Sequence, residues 1–546
     1  VSEAALLAAV TADPEADAPR LVLADWYDEH GRPHRADLIR VQCRLAHAAP
    51  ADPDYVDLCE REDELADGLA DLSRAADPGL PEHVRLVDDV RPTCRDGGPY
   101  RRGFPMAVRP LWPDGRGFVL RLREVVARTP FRGLDLKDLH PDRLPVVLRS
   151  PAARAFSELR LPLRTWYLEP AEAAAEQARM LDALRAFVAA RGPTGLRRLA
   201  VPVLADPDGL AAVAALPLAG VESFEAPFPA GVLRPMPGWA ETLAAAGWLA
   251  ALRSLTNPYE WDWEAFGRAA RLPALHTLCL NRPASFAPAA LKAVARAAPN
   301  LAALHLSPDR LPVGAGRAIA DAGFGRLAVL SLAGTGLTGD AVADLTAAPF
   351  AGTLHTLDLW DCPVGTKGFA ALARSEFRLR RLVLQPGTTT IGRSGLRALA
   401  TADPFAGLTT LTLEMPTTKS CPEPAAVAEF LAGWRGPRLR HLTVAHLPVG
   451  DAGAKAIARN PAFASLTRLY LSFTGVGAAG AKALFASPHL GRLLDLRLQG
   501  CPVGSAAAAL ADPAVLPDLG HCLLSEDAVP PAAARAAARR PGVRLI

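Results

Sequence analysis

The sequence is poor in most features that would announce a particular chemistry. Aromatic residues make up only 6% of its 546 residues, and Met occurs 4 times. No apolar run reaches the roughly 18 residues that a membrane-spanning helix needs. There is no G-x-x-x-x-G-K-[ST] phosphate loop, no H-E-x-x-H and no G-x-S-x-G. An excess of one charge is also missing: 60 Lys and Arg stand against 57 Asp and Glu, a net +3. So small an imbalance gives no footprint for nucleic acid or an anionic membrane. The 8 Cys include no C-x-x-C pair and are too sparse for a disulfide scaffold. Reduced thiols in the cytoplasm are the expectation. The opening stretch VSEAALLAAVTADPEAD has no basic leader, and acids follow its short apolar run, which argues against a secretory signal. Val in place of the expected Met suggests an alternative bacterial start codon.

What the sequence does have is periodicity. Half of its residues are apolar, and a chain this long exceeds the about 250–300 residues of a single core. From about residue 275 the pattern Leu-x-x-Leu-x-Leu recurs. It appears as LHTLCL (275–280), LAALHL (301–306), LAVLSL (327–332), LHTLDL (354–359) and LRRLVL (379–384). It continues as LTTLTL (408–413), LRHLTV (439–444), LTRLYL (466–471) and LLDLRL (493–498). The central Leu falls at 278, 304, 330, 357, 382, 411, 442, 469 and 496, in steps of 25 to 31 residues. A fixed period of this size is the signature of a stacked array.

The alternation assigns each side chain a direction. In Leu-x-Leu the two Leu point to one side of a short strand and the middle residue to the other. Gly- or Pro-bearing turns such as AGTGLTGD and AHLPVGDAG follow, and then helical stretches such as AGAKAIARNPAF. One strand–turn–helix unit cannot bury its own apolar face, so neighbours must stack and share a core. Weaker copies lie upstream: FRGLDL (131–136), FSELRL (156–161), LRRLAV (196–201), VESFEA (221–226) and LRSLTN (252–257). A helical insert, EPAEAAAEQARMLDALRAFVAA, separates the second from the third. RRGFPMAVRP (101–110) is placed as a capping first strand, and LGHCLL and VRLI close the stack.

These motifs resemble the ribonuclease-inhibitor-like class of leucine-rich repeats, over about residues 130–546. The resemblance implies an α/β solenoid with parallel strands on a concave face and helices on a convex face. The sequence departs from the family where Asn or Cys is usual, three residues after the last core Leu. There it holds Thr335, Cys362, Leu447, Thr474 and Cys501, which predicts an incomplete polar ladder.

Residues 2–48 carry three helical patterns. Ser2 caps the first; Asp17 caps the second, which Gly31 ends; Leu38, Val41 and Leu45 line one face of the third. A fourth helix is predicted over about 55–72, and 76–100 has the composition of a loop. The segment LLAAVTADPEADAPRLVLADWYDEHGRPHRADLIRVQCRL resembles the short repeat-companion domain found upstream of repeats in planctomycete-type bacteria. It implies an architecture and no activity. The resulting division is a small all-α companion domain at 1–75, a linker and solenoid cap at 76–130, and the solenoid at 131–546.

The tightest polar cluster, Arg20, Asp25, Trp26, Asp28, Glu29, His30 and His34, is interrupted by Gly31 and Pro33. Its two imidazoles are therefore not expected to share a helical face as metal ligands. Trp26 is expected to pack between helices, and the buried thiols of Cys362 and Cys501 to act as small apolar groups. No cofactor, metal site or catalytic residue is assigned. The informative surface is the concave face. Its residues between the last two core Leu are Cys279, His305, Ser331, Asp358, Val383, Thr412, Thr443, Tyr470 and Arg497. Two positions on stand Trp360 and Glu414 among others. Aromatic and Arg side chains are typical hot spots, so Asp358, Trp360, Glu414, Tyr470, Arg497 and His305 are the candidate contacts. The expected function is a non-enzymatic scaffold for a protein partner, with neither nucleic acid nor membrane as target. The alternative is a regulatory repeat protein acting on a GTPase or as a substrate adaptor.

Overall fold

A computed structural model describes residues 1–13, 15–75, 84–86, 100–101, 104–105, 107–110, 117–128, 132–162, 170–202, 207–226, 238–257, 262–281, 287–307, 310–385, 391–415 and 421–546. They form two compact units, Val1–His305 and Leu306–Ile546.

The first unit begins with helices α1 (Glu3–Ala12), α2 (Ala18–Glu29), α3 (Pro33–Leu45) and α4 (Tyr55–Ala75). Ser2 caps α1 by accepting from the amide of Ala5. Asp17 precedes α2 but makes no capping bond; its carboxylate is instead 2.7 Å from His47. Gly31 ends α2 at φ +73, a conformation that costs Gly little. The main apolar cluster uses Val10, Leu23, Ala24, Tyr27, Ala36, Ile39 and Cys43. On α3 it is therefore Ala36, Ile39 and Cys43 that face the three-helix core. The expected stripe serves the other side: Leu38, with Val41, packs on Leu65 of α4. Trp26 is half-buried and stacks on His30 at 3.8 Å. Tyr27 is the fully buried aromatic, and its hydroxyl donates to Glu3 at 2.9 Å.

All five weak upstream copies form strands. Parallel pairing runs from Ala107–Pro110 through Gly133–Asp135, Glu158–Arg160, Arg198–Ala200, Ser223–Glu225 and Ser254–Asn257 to Thr277–Asn281. Leu134, Leu159, Leu199, Phe224, Leu255 and Leu278 lie directly opposite one another along it. Part of the expected loop is a strand: Val84–Leu86 pairs antiparallel with Ala107–Pro110 and covers an edge that would otherwise present unpaired backbone groups. The rest of 76–99 lies outside the described residues. Cys279 corrects two expectations, because it is 1% exposed and disulfide-bonded rather than a solvent-facing thiol. Cys43, Cys59, Cys362, Cys421, Cys501 and Cys522 are free.

In the second unit, nine strands pair in parallel and in chain order. They are Val329–Ser331, Thr356–Leu359, Arg381–Leu384, Thr410–Glu414, His441–Ala445, Arg468–Tyr470, Asp495–Leu498, His521–Leu524 and Val543–Leu545. The core leucines 330, 357, 382, 411, 442, 469 and 496 form one buried row. Each buried Leu is worth about 1.5–3 kcal/mol relative to exposure. A shared motif starts most rungs: two consecutive amides donate to one carbonyl of the rung before, as Arg440 and His441 do to Thr409. A second layer of helices, among them Gly365–Leu372, Arg393–Thr401, Pro424–Gly433, Gly450–Arg459 and Ala478–Phe485, closes the other side. Phe350, Phe369, Phe405, Phe430 and Phe463 fill the space between strands and helices.

The missing Asn ladder has a substitute. Thr335 donates to the Leu332 carbonyl at 2.7 Å and lies 3.5 Å from the Cys362 sulfur, which itself donates to that carbonyl. Thr474, Cys501 and Leu471 repeat the arrangement. Paired Thr and Cys side chains thus satisfy buried turn carbonyls that would be costly to leave unpaired. The fold is that of an α/β leucine-rich-repeat solenoid, preceded by a small helical region.

Candidate interaction surface on the strand face

Strand register aligns three rows of side chains on the solvent side of the second unit. Ser331, Asp358, Val383, Thr412, Thr443, Tyr470, Arg497, Leu523 and Arg544 form the middle row. Two residues earlier in each strand lie Val329, Thr356, Arg381, Thr410, His441, Arg468, Asp495 and His521. Trp360 and Glu414 belong to the row on the opposite flank. Every candidate contact is half-buried: Asp358, Trp360, Glu414, Tyr470, Arg497 and, in the first unit, His305. Each side chain therefore has a supported body and an open side.

The register brings Tyr470 and Arg497 together and leaves the others on separate rungs. Rungs are about 4.8 Å apart, so Asp358 and Tyr470, four rungs apart, are separated by about 19 Å. Asp358 is fixed by Ser331, whose hydroxyl donates to it at 3.0 Å, and by the Trp360 amide, also at 3.0 Å. Trp360 extends from the turn after that strand. Burial pushes the Glu414 carboxyl above its ordinary value, while His446 works against the shift.

The most ordered part of the face centres on Asp495, a residue not among the sequence candidates. The residue is only 4% exposed, yet its side chain has three partners. Tyr470 donates to Oδ2 at 2.6 Å, Arg497 donates to Oδ2 at 2.9 Å, and His521 Nδ1 lies 2.9 Å from Oδ1. Burial alone would raise the Asp495 pKa; the bonds from His521 and Tyr470 and the charge of Arg497 outweigh it and hold the carboxyl below its ordinary range. Tyr470 is pushed far upward, by burial first and then by the Asp495 charge, so its hydroxyl stays protonated and remains a donor. The guanidinium of Arg497 also lies over the Tyr470 ring, a cation–π contact. Arg468 sits beside the pair in the register.

Asp495, His521 and Arg468 were missed because only the middle row and the row after it were read as solvent-facing. The alternation that puts Arg497 on the outer side of its strand puts the residue two before it on the same side, so the signal was present in LLDLRL.

The turns bordering this face hold another unexpected feature. Asp361, His446 and Phe473 have φ of 53°, 59° and 56°, in the left-handed region that Asp and His enter more readily than most residues and that is an outlier for a bulky Phe. The rings of His446 and Phe473 are parallel within 2°, with centroids 4.9 Å apart, close to the rung spacing.

Comparison with known proteins adds a limited amount. No curated protein matches the chain. Among solved structures, a chain from the crystal structure of the Rad7 and Elc1 complex in yeast aligns with a TM-score of 0.38 and 16% identity, covering 74% of this chain and 92% of that one. The family model described as a Leucine Rich repeat matches residues 464–485, the segment that contains Arg468–Tyr470 and its following helix.

Proposed function

We propose that the protein is a non-enzymatic interaction scaffold that binds a protein partner through the strand face of its repeats. The observation that carries this reading is the preorganised cluster of Tyr470, Asp495, Arg497 and His521. Rigid, partly open Tyr and Arg side chains lose little entropy when a partner docks, and these residue types dominate measured hot spots. Trp360, Asp358, Glu414 and His305 are carried as further contacts. Assignment to the ribonuclease-inhibitor-like class rests on the repeat length and on true helices in the second layer. The helical region is taken as the companion domain at 1–75, followed by the cap at 76–130 and the solenoid at 131–546. The near-neutral charge supports a target that is neither nucleic acid nor membrane. Among the described residues no helix is long and apolar enough to cross a membrane.

Site-specific photo-crosslinking in the producing cells tests the proposal. A photoreactive residue replaces Trp360 or Thr443 on the strand face, or Arg397 or Arg459 on the helices. Discrete protein adducts are expected from the first two positions only. The same adducts from the helix positions, or none from Trp360 and Thr443, would overturn it.

A further inference from the structure

Where the helices meet the first rungs, guanidinium groups outnumber the carboxylates that balance them. The residue before each strand there offers its carbonyl to the next rung: Arg132 to Glu158, Ser157 to Arg197 and Arg198, and Arg197 to Glu222 and Ser223. Arg132, Ser157 and Arg197 therefore hold equivalent positions on three successive rungs, about 4.8 Å apart. Arg132 reaches the end of α1, donating to the Thr11 carbonyl at 3.1 Å, and Arg197 lies 3.6 Å from Glu15 in the turn to α2. Arg20, in the first turn of α2, is 3% exposed. Arg191 completes the group from the end of the helix Pro170–Arg191.

Four guanidinium groups thus share two carboxylates. Glu222, 3.2 Å from Arg197, offsets that residue. Glu15 attracts both Arg132 and Arg191, and it does not suffice: burial and the charges of Arg20 and Arg191 pull Arg132 down to about 10. The other acids nearby are engaged elsewhere. Asp17 is 2.7 Å from His47, and Glu158 stands 3.8 Å from Arg198 on the strands themselves.

Ser157 sits in the middle of this row. It is 4% exposed, and its hydroxyl makes no hydrogen bond. Buried hydroxyl groups are nearly always paired, because leaving one unpaired costs free energy. Its register, between Arg132 and Arg197, places this unused donor in the gap that the two guanidinium groups flank.

We infer that this crevice is a binding site for a phosphoryl group, held by Arg132, Arg197 and the Ser157 hydroxyl, with Arg20 and Arg191 adding charge. A phosphoryl group brings nearly two negative charges and three acceptor oxygens at neutral pH, where Glu15 brings one charge and two oxygens. Guanidinium forks match such oxygens in pairs. Arg20 and Ser157 form a buried floor, while Arg132, Arg191 and Arg197 are half-buried at the rim. The opening suits a small group rather than a folded partner, so the site is separate from the strand face and does not depend on the scaffold reading.

Calorimetric titration of the full chain with inorganic phosphate, with chloride holding the ionic strength constant, tests this. Saturable binding is expected. Ser157→Ala removes a hydroxyl that holds nothing in the empty protein, so its melting temperature in chloride should not fall, yet its affinity for phosphate should drop about tenfold. Arg197→Gln should weaken binding at least as much. Glu15→Gln, which removes the competing carboxylate, should strengthen it several-fold. Glycerol phosphate distinguishes the sources of the group: tighter binding than inorganic phosphate assigns the site to an organic phosphate, and weaker binding assigns it to the free ion. No saturation by about 10 mM phosphate would overturn the inference. So would binding that Ser157→Ala leaves unchanged, or that Glu15→Gln weakens.

Discussion

Arg497 covers the ring of Tyr470, with its guanidinium carbon 4.1 Å from the ring centroid, and both side chains hold the same Asp495 oxygen. Two rungs are tied through one buried carboxylate on the rung that supplies the Arg. Asp495→Asn keeps the shape but removes the charge. Hydrogen bonds to charged groups contribute about 1.5–3 kcal/mol each, so the variant should lose roughly 2 kcal/mol or more at neutral pH, measured as a shift in the urea midpoint.

The pH dependence of that loss has a definite sign. The Asp495 carboxyl titrates below the ordinary carboxylate range in the folded protein. Its contribution is therefore complete above the ordinary Asp pKa of about 3.9 and declines as pH falls through the lower, folded pKa. The gap in stability between the original chain and Asp495→Asn should narrow as pH falls below about 4, where the carboxyl becomes protonated. A gap that widens below about pH 4 would contradict the assignment.

The repeat frame was legible because nothing competes with it. Leu357, Leu382, Leu411, Leu442, Leu469 and Leu496 recur at a period only one architecture satisfies, and they became a single buried row. Even the degenerate copy VESFEA, with Phe224 in the Leu place, took its expected rung. The site was less legible for two reasons. Asp495 and His521 follow from alternation alone, but only part of the alternation was applied. The left-handed turns at His446 and Phe473 carry no Gly of their own and could be read only from the equivalent positions of other repeats, where Gly334 and Gly500 adopt the same backbone. Cys279 shows another limit. Strand alternation gives the side of the sheet on which a residue lies, and says nothing about what else covers it.

The buried thiols make a chemical prediction. Cys362 and Cys501 are fully buried beside Thr335 and Thr474. Burial raises the Cys362 pKa above its ordinary value and pushes Cys522 up to about 12. Cys421 is half-buried, with a smaller burden of covering atoms. Under native conditions a thiol reagent should therefore modify Cys421 first. Cys362, Cys501 and Cys522 should react only on unfolding, as mass spectrometry of the labelled peptides would record. Early labelling of Cys362 would mean that its turn is open.

Helix packing predicts which glycines cannot change. At Gly316 a Cβ would lie 2.2 Å from the backbone oxygen of Ala341 in the next repeat, and at Gly339 2.3 Å from that of Val364. Backbone cannot give way as a side-chain tip can. Gly316→Ala should destabilise the second unit by about 1–3 kcal/mol, as overpacking usually does. Gly325→Ala, with no atom within 4 Å, should change the denaturation midpoint little. Equal effects of the two would show that the helices do not pack this closely.

The junction between the helical region and the first repeats supplies the last prediction. Arg132 donates to the Thr11 carbonyl at 3.1 Å, where α1 ends, and Glu15 lies 3.6 Å from Arg197. Arg132 is pulled down to about 10, chiefly by burial, with repulsion from Arg20 and Arg191 adding to the effect and Glu15 opposing it. Glu15 thus holds together a set of guanidinium groups that would otherwise repel one another. Glu15→Gln leaves the side-chain volume almost unchanged but removes the attraction. It should lower the pKa of Arg132 further and weaken the grip of the repeats on α1. If the helices open as a local unit, amide exchange in Glu3–Ala12 should accelerate several-fold while the strands at Leu442 and Leu469 keep their protection. Acceleration spread evenly over the chain would show instead that the helices and the repeats unfold as one body. No change in α1 would show that Glu15 holds nothing.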